Sequence, residues 1–270
     1  MLRTLKLTIS YDGTAYAGWQ WQANGPSVQA ALEATLAKVV KQASRITASG
    51  RTDRGVHALA QVVSFSTTSR ITPEALKRAL NAELPEDIAV HAVEEAPVDF
   101  HPICDAIRKR YRYVIHDGRE PVVFARHYCW HVRQRLDAER MDRAAQAWLG
   151  RHDFASFQSS NSRRLSTVRT VYELSMARDP QDRDFIRFEV EADGFLYNMV
   201  RTMVGTLVVV GRGKHPESWT AEVLAARDRR QAGMRAPAQG LFLLRVDYLP
   251  GNAPCLNRPE VADFKLQPAD

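Results

Sequence analysis

The chain has 270 residues, 45% hydrophobic and 25% charged, with 37 basic against 31 acidic side chains and a net charge of +6. That is long enough for one large or two medium domains, and the balance excludes a disordered or fibrous chain. The excess of basic charge admits a polyanionic partner without requiring one.

Leu5, Leu7 and Ile9 alternate with Lys6, Thr8 and Ser10, the period of a half-buried strand. A loop follows, Tyr11-Asp-Gly-Thr-Ala-Tyr-Ala-Gly-Trp-Gln-Trp-Gln22, dense in aromatics, glycine and amides. Stacking rings beside amide donors suit contact with RNA, although such a loop can equally pack on its own core. Ser27 is placed to cap a helix in which Val28, Ala31, Leu32, Leu36, Val39 and Val40 share a face. Residues 44–48 read as a short strand and residues 61–67 as another. Thr72-Pro73 opens a second helix with Leu76, Ala79 and Leu80 inward, and residues 88–93 form a further strand. Strand, helix, strand, strand, helix, strand is the split βαβ, or ferredoxin-like, order.

The second half repeats the pattern without repeating the residues. Residues 110–115 alternate as a strand, 137–149 form a helix burying Met141, Ala144, Ala145 and Trp148, and 170–177 and 185–192 are two more strands. The most apolar helix is expected over 195–210, with Leu196, Met199, Val200, Met203, Val204, Leu207 and Val208 inward. Another helix is expected over 219–230, and a closing strand over 241–248. The fold class is therefore α+β, with antiparallel sheets in two ferredoxin-like units: residues 1–100, residues 101–250, and a loose tail over 251–270 that carries prolines at 254, 259 and 268.

Chemistry concentrates in Ala48-Ser-Gly-Arg-Thr-Asp-Arg-Gly-Val-His-Ala58. Asp53 stands between Arg51 and Arg54, with Gly50 and Gly55 outside them, which reads as a shaped loop. Flanking arginines favour an ionised carboxylate, able to act as nucleophile or base toward a polyanionic substrate. The alternative is an Asp that braces a turn. His57 reads as structural, because no acidic or histidine cluster surrounds it at ligand spacing. Cys104, Cys129 and Cys255 are far apart and form no C-x-x-C pair, which argues against zinc and disulfides and suits a reducing cytosol. The N-terminus lacks a signal-peptide core, and no apolar run nears the roughly 20 residues of a membrane span.

The run around Asp53 closely resembles the G-R-T-D-x-G-V-H-A signature of the tRNA pseudouridine synthase A family. The Y-D-G-T-x-Y-x-G-W-Q loop near residue 11 and Phe195-Leu-Tyr-Asn-Met-Val-Arg-Thr-Met-Val-Gly205 match further motifs of that family. The resemblance implies that Asp53 is the catalytic residue. It also implies that Tyr111, the first tyrosine of Arg-Tyr-Arg-Tyr113, lies against the target base, and that Arg201 pairs with Asp53. The active cleft would then lie between the two units, with Arg51 and Arg201 holding the carboxylate oriented. Arg108, Lys109, Arg110 and Arg112 would add positive charge near Tyr111, unless they are a solvated sheet edge. The family usually continues after Asp99-Phe100-His101 with Ala-Arg, whereas here Pro102-Ile103-Cys104 follows.

Gly211-Arg-Gly-Lys214 lacks the remaining residues of a phosphate loop, since Val208 and His215 occupy the required Gly and Ser/Thr positions. It reads as a basic turn near RNA backbone. Arg163-Arg164 and Arg169-Thr170-Val171 offer another basic patch. The resemblance implies isomerisation of uridine to pseudouridine at positions 38, 39 and 40 in the anticodon stem-loop of tRNA. It implies no cofactor, no metal and no membrane, a cytoplasmic location and a homodimer. Two rivals use the same features. A glycosidase would need a second carboxylate that is not evident near these motifs, and an RNA-binding protein on the same fold would have no use for Asp53.

Overall fold

The structure is a computed structural model that describes residues 2–159 and 166–252. Arg163, Arg164, Cys255 and the expected tail from residue 253 on lie outside the described residues. The described residues divide into two compact units, one made of those up to 107 together with those from 243 on, and the other of those between 108 and 242. Among the described residues no helix is long and apolar enough to cross a membrane.

In the first unit, β1 (Arg3–Tyr11), β2 (Thr47–Ala48), β3 (His57–Thr67) and β4 (Ile88–Ala96) alternate with α1 (Val28–Val40) and α2 (Pro73–Glu83). The sheet order is β4-β1-β3, with β2 and the chain's last strand also beside β3. This is the expected split βαβ unit, and its pairs are antiparallel. Leu5, Leu7 and Ile9 are wholly buried, each worth about 1.5–3 kcal/mol of burial.

Ser27 and Thr72 cap the two helices through their side chains, as their positions require. On α1 the buried face differs from expectation. Gln29 and Thr35 are buried, while Ala31 and Val39 are only half-buried. On α2, Asn81 brackets β4, its amide donating to Val90 O at 2.9 Å while its Oδ1 accepts the Val90 N–H at 2.7 Å. The strand expected over residues 44–48 shrinks to Thr47–Ala48.

The second unit runs β5 (Ala106–His116), β6 (Trp130–His131), α3 (Ala138–Ala145), β7 (Gly150–Asp153), β8 (Val168–Arg178), β9 (Phe185–Ala192), α4 (Met199–Gly211) and α5 (Trp219–Ala226). Its sheet order is β5-β9-β8-β7. The final strand, β10 (Leu241–Tyr248), begins in this unit and continues in the first. Tyr113, Ile186, Phe188 and Val190 from the sheet are buried, as are Met141 of α3 and Met199, Met203, Val204 and Leu207 of α4.

Three expected helices are shorter than their patterns suggest. Residues 195–198 precede α4 rather than opening it, because Asn198 sits in the left-handed region at φ 63°. α3 gives way after Ala145 to a tighter turn over Gln146–Trp148, which carries the buried Trp148 ring into place with its Nε1 donating to Thr220 O at 3.2 Å. α5 stops at Ala226, followed by Arg227 at φ 50°.

The segment after α5 crosses α4 at Gly205, where a Cβ would stand 1.6 Å from Met234 O. Ala236 N–H donates to Arg201 O at 3.0 Å and Gly233 N–H to Thr206 Oγ1 at 3.0 Å, so the crossing is fixed on both sides. Gly205→Ala is expected to destabilise the protein by about 1–3 kcal/mol through overpacking against backbone. A thermal melt unchanged from wild type would show that this segment yields.

Candidate active site

β1 ends where its pairing with β3 slips, Ile9 facing Gln61 and Tyr11 facing Ala58. A bulge of this kind bends the strand and re-aims side chains, here at the root of both loops that matter. The Asp53 loop joins β2 to β3. Thr52 and Val56 turn inward and are buried, whereas Arg51 and Arg54 are exposed and Asp53 is half-buried. The loop is therefore anchored by its apolar and hydroxyl members, and its charges point outward.

The aromatic loop forms the wall behind it. Trp19 N–H donates to Thr52 O at 3.0 Å, Gly18 pairs with Asp53 in a single antiparallel bridge, and the Tyr11 hydroxyl meets Thr52 Oγ1 at 2.7 Å. Two glycines make that contact possible. A Cβ at Gly13 would stand 2.1 Å from Val56 O, and Gly18, at φ 120°, would place one 3.0 Å from Thr52 O. Within the Asp53 loop, Gly55 takes a left-handed φ of 76° and Gly50 does not, so only one of the two flanking glycines is needed for its backbone.

Tyr11, Tyr16 and Trp19 are buried, so most of the aromatic loop is its own core, and Trp21 is the ring left 53% exposed. Tyr16 donates to Asp87 Oδ1 at 2.6 Å, and burial followed by that carboxylate pushes its phenol well above the usual range. Gln29, read from sequence only as part of a helix, accepts the Trp21 N–H at 2.9 Å and donates to Glu33 Oε1 at 2.8 Å. His57 is buried, with Nδ1 accepting the Gly13 N–H at 3.1 Å and lying 3.1 Å from Asp12 Oδ1. That is a bracing position. Among the described residues no group of three or more His, Cys, Asp or Glu is placed to hold a metal ion.

Pro102-Ile103-Cys104, the departure from the family pattern, forms a tight turn. His101 Nδ1 accepts the Ile103 and Cys104 N–H groups at 3.3 Å, and Pro102 O accepts the Tyr248 hydroxyl at 2.7 Å. Cys104 is buried.

In the second unit, Tyr111 is half-buried on β5 with its ring edge-on to Phe195 at 5.0 Å. Tyr113, on the same strand face, is a core residue whose hydroxyl donates to Pro237 O at 2.7 Å. Arg201, half-buried on α4, donates from Nε to Ala236 O at 2.8 Å and from Nη1 to Asn198 Oδ1 at 3.1 Å. The arginines of β5 have carboxylate partners. Arg108 meets Glu191 at 3.0 Å, Arg110 meets Glu189 at 3.0 Å and Glu173 at 3.2 Å, and Arg112 also binds Glu189. Burial works to raise the carboxyl of Glu189, yet Arg112 and Arg110 hold it below the usual range. The expected positive patch is thus a ladder of ion pairs across β5, β9 and β8.

The Gly211–Lys214 turn follows the C-terminal end of α4, with Gly213 at φ 73°. This is the end of a helix where the dipole favours cations rather than phosphate. Arg169 donates to Ser166 O at 3.1 Å from the edge of β8.

A family model described as tRNA pseudouridine synthase matches residues 7–104 and 144–249. A tRNA pseudouridine synthase A of Moorella thermoacetica is 50% identical over 247 residues, covering 90% of this chain and 99% of that one. Another, from a Thermoanaerobacter species, is 43% identical over 247 residues, covering 92% of this chain and 100% of its own length. Among solved structures, an archaeal box H/ACA sRNP complex covers 88% of this chain and 47% of the matched chain, at 12% identity and a TM-score of 0.36, too slight a likeness to bear on the assignment. Identity at the level of the two synthases, over almost the whole length, sets the class as an isomerase. The chain belongs to the tRNA pseudouridine synthase family.

Proposed function

We propose that this protein isomerises uridine to pseudouridine at positions 38, 39 and 40 of tRNA, with Asp53 as the residue that acts on the ribose. The observation that carries the reading is the Asp53 loop itself. Its backbone is pinned on β3 and on the aromatic loop, while Asp53 is left half-buried between two exposed arginines. A carboxylate that only braced a turn would gain nothing from so rigid a presentation beside cations.

A uridine inside a stem must leave its stack to be reached. Tyr111, backed edge-on by Phe195, would pack against the extruded base. Asp53 then promotes cleavage of the C1′–N1 glycosidic bond, the uracil turns while still bound, and C1′ rejoins at C5; the C5 proton departs to solvent and N1 takes up a proton, so the product is an isomer of the substrate. Arg51 and Arg201 are the residues proposed to keep the carboxylate ionised and oriented. Nε and Nη1 of Arg201 are held by Ala236 and Asn198, which supports a fixed rather than a wandering guanidinium. The reaction moves atoms within one nucleotide and needs no cofactor. The proposed setting is a cytoplasmic homodimer acting on the anticodon stem-loop.

The test is to map pseudouridine in an unmodified tRNA transcript carrying uridine at all three positions. Conversion confined to positions 38, 39 and 40 is expected. Conversion elsewhere, or none, would contradict the assignment.

A further inference from the structure

Beneath the Asp53 loop lies a buried polar cluster that the chemistry above does not use. Gln61, on β3, is 0% exposed. Its Oε1 accepts the Ser49 hydroxyl at 2.6 Å and its Nε2 donates to Gly50 O at 2.8 Å. The Tyr11 hydroxyl, close enough to feel this amide, meets Thr52 Oγ1 at 2.7 Å. Burial pushes the Tyr11 phenol up to about 12, so it keeps its proton.

Ser49 donates to Gln61 Oε1, which also accepts the Val62 N–H at 3.2 Å, and Gln61 Nε2 donates to Gly50 O. Ser49 and Gly50, at the entry to the Asp53 loop, are thereby tied directly to one amide on a sheet strand. A fully buried group cannot touch ribose or base, so whatever Gln61 contributes passes through the loop.

We infer that Gln61 is a positioning residue for Asp53, fixing Ser49 and Gly50 at the entry to the loop so that the carboxylate is held at its reacting geometry. The inference rests on the isomerase reading. Displacing a reacting group by about 1 Å can cost on the order of 10²-fold in rate.

The test compares wild type with Gln61→Met, which keeps length and burial but removes both hydrogen-bonding functions. It uses single-turnover pseudouridine formation, tRNA dissociation constants and thermal melts on the full chain. Gln61→Met is expected to lower the single-turnover rate about 10–100-fold while the tRNA dissociation constant stays within about threefold. Ser49→Ala, which removes one tie and serves where Gln61→Met does not fold, is expected to show the same split with a smaller loss of rate. A folded variant at the wild-type rate would overturn the inference, as would a loss of affinity equal to the loss of rate. Wild type that forms no pseudouridine would overturn the isomerase reading and this inference together, whereas an active wild type matched by its variants removes the inference alone.

Discussion

Asp53→Asn is expected to abolish pseudouridine formation, with a fall on the order of 10⁴-fold or more, the scale seen when a covalent or general-base residue is removed from an otherwise intact site. Asparagine keeps the shape and the acceptor oxygen, and it loses the charge and the nucleophile. The side chain is half-buried and the loop is held by Thr52, Val56 and the aromatic wall, so fold and tRNA affinity should be nearly unchanged. Single-turnover assays with saturating enzyme, beside a melt and a binding isotherm, check all three. A residual rate within tenfold of wild type would remove Asp53 from the chemistry.

The second large effect concerns stability in the second unit. Asp117 has a side chain with no exposure and accepts four hydrogen bonds. These are Arg178 Nη1 at 2.9 Å and Arg135 Nη1 at 3.1 Å on Oδ1, and Arg178 Nη2 and the Leu136 N–H, both at 2.8 Å, on Oδ2. Removing one member of a buried pair leaves the other without its partner, so Asp117→Ala is expected to cost about 3–5 kcal/mol in a denaturant titration.

Burial pushes the Asp117 carboxyl upward, but the Arg178 contact, the Leu136 amide and the charge of Arg135 outweigh it and hold the group below its ordinary value. A depressed folded-state value means that the stabilisation is fully present above the unfolded carboxylate range near pH 4 and is lost as pH falls through the lower folded value. Wild type should therefore lose stability below about pH 4 more steeply than Asp117→Ala. Parallel curves would show that this carboxylate does not titrate with unfolding.

Much of this was legible in the chain. The alternation at Leu5, Leu7 and Ile9 and the strands at Phe185–Ala192 and Leu241–Tyr248 fell where the pattern placed them, because period 2 over a buried face leaves little choice of register. The start of α4 was not legible. The apolar run continues through Phe195 and Leu196, and what excludes them from the helix is the left-handed Asn198, a local turn that hydrophobic spacing does not report.

The buried amides were missed for a different reason. Gln61 lies in phase with Val63 and Phe65 on β3, and Gln29 in phase with Leu32 and Leu36 on α1, so their burial follows from spacing alone. A glutamine in phase with a core face is itself a signal of a buried, hydrogen-bonded amide. The pairing of Arg108, Arg110 and Arg112 with Glu189, Glu191 and Glu173 needed strand register, which brings residues 63 to 83 positions apart side by side and which no local pattern contains.

Uracil is moved from an N-glycoside to a C-glycoside. The most direct measurement uses tRNA labelled with tritium at uracil C5, incubated with wild type, with tritium in water and free uracil followed separately. Tritium release is expected to match the pseudouridine formed, with no uracil in solution and no release by Asp53→Asn. Free uracil would mark a glycosidase, and tight tRNA binding without tritium release would mark a protein that holds its RNA and leaves it unchanged.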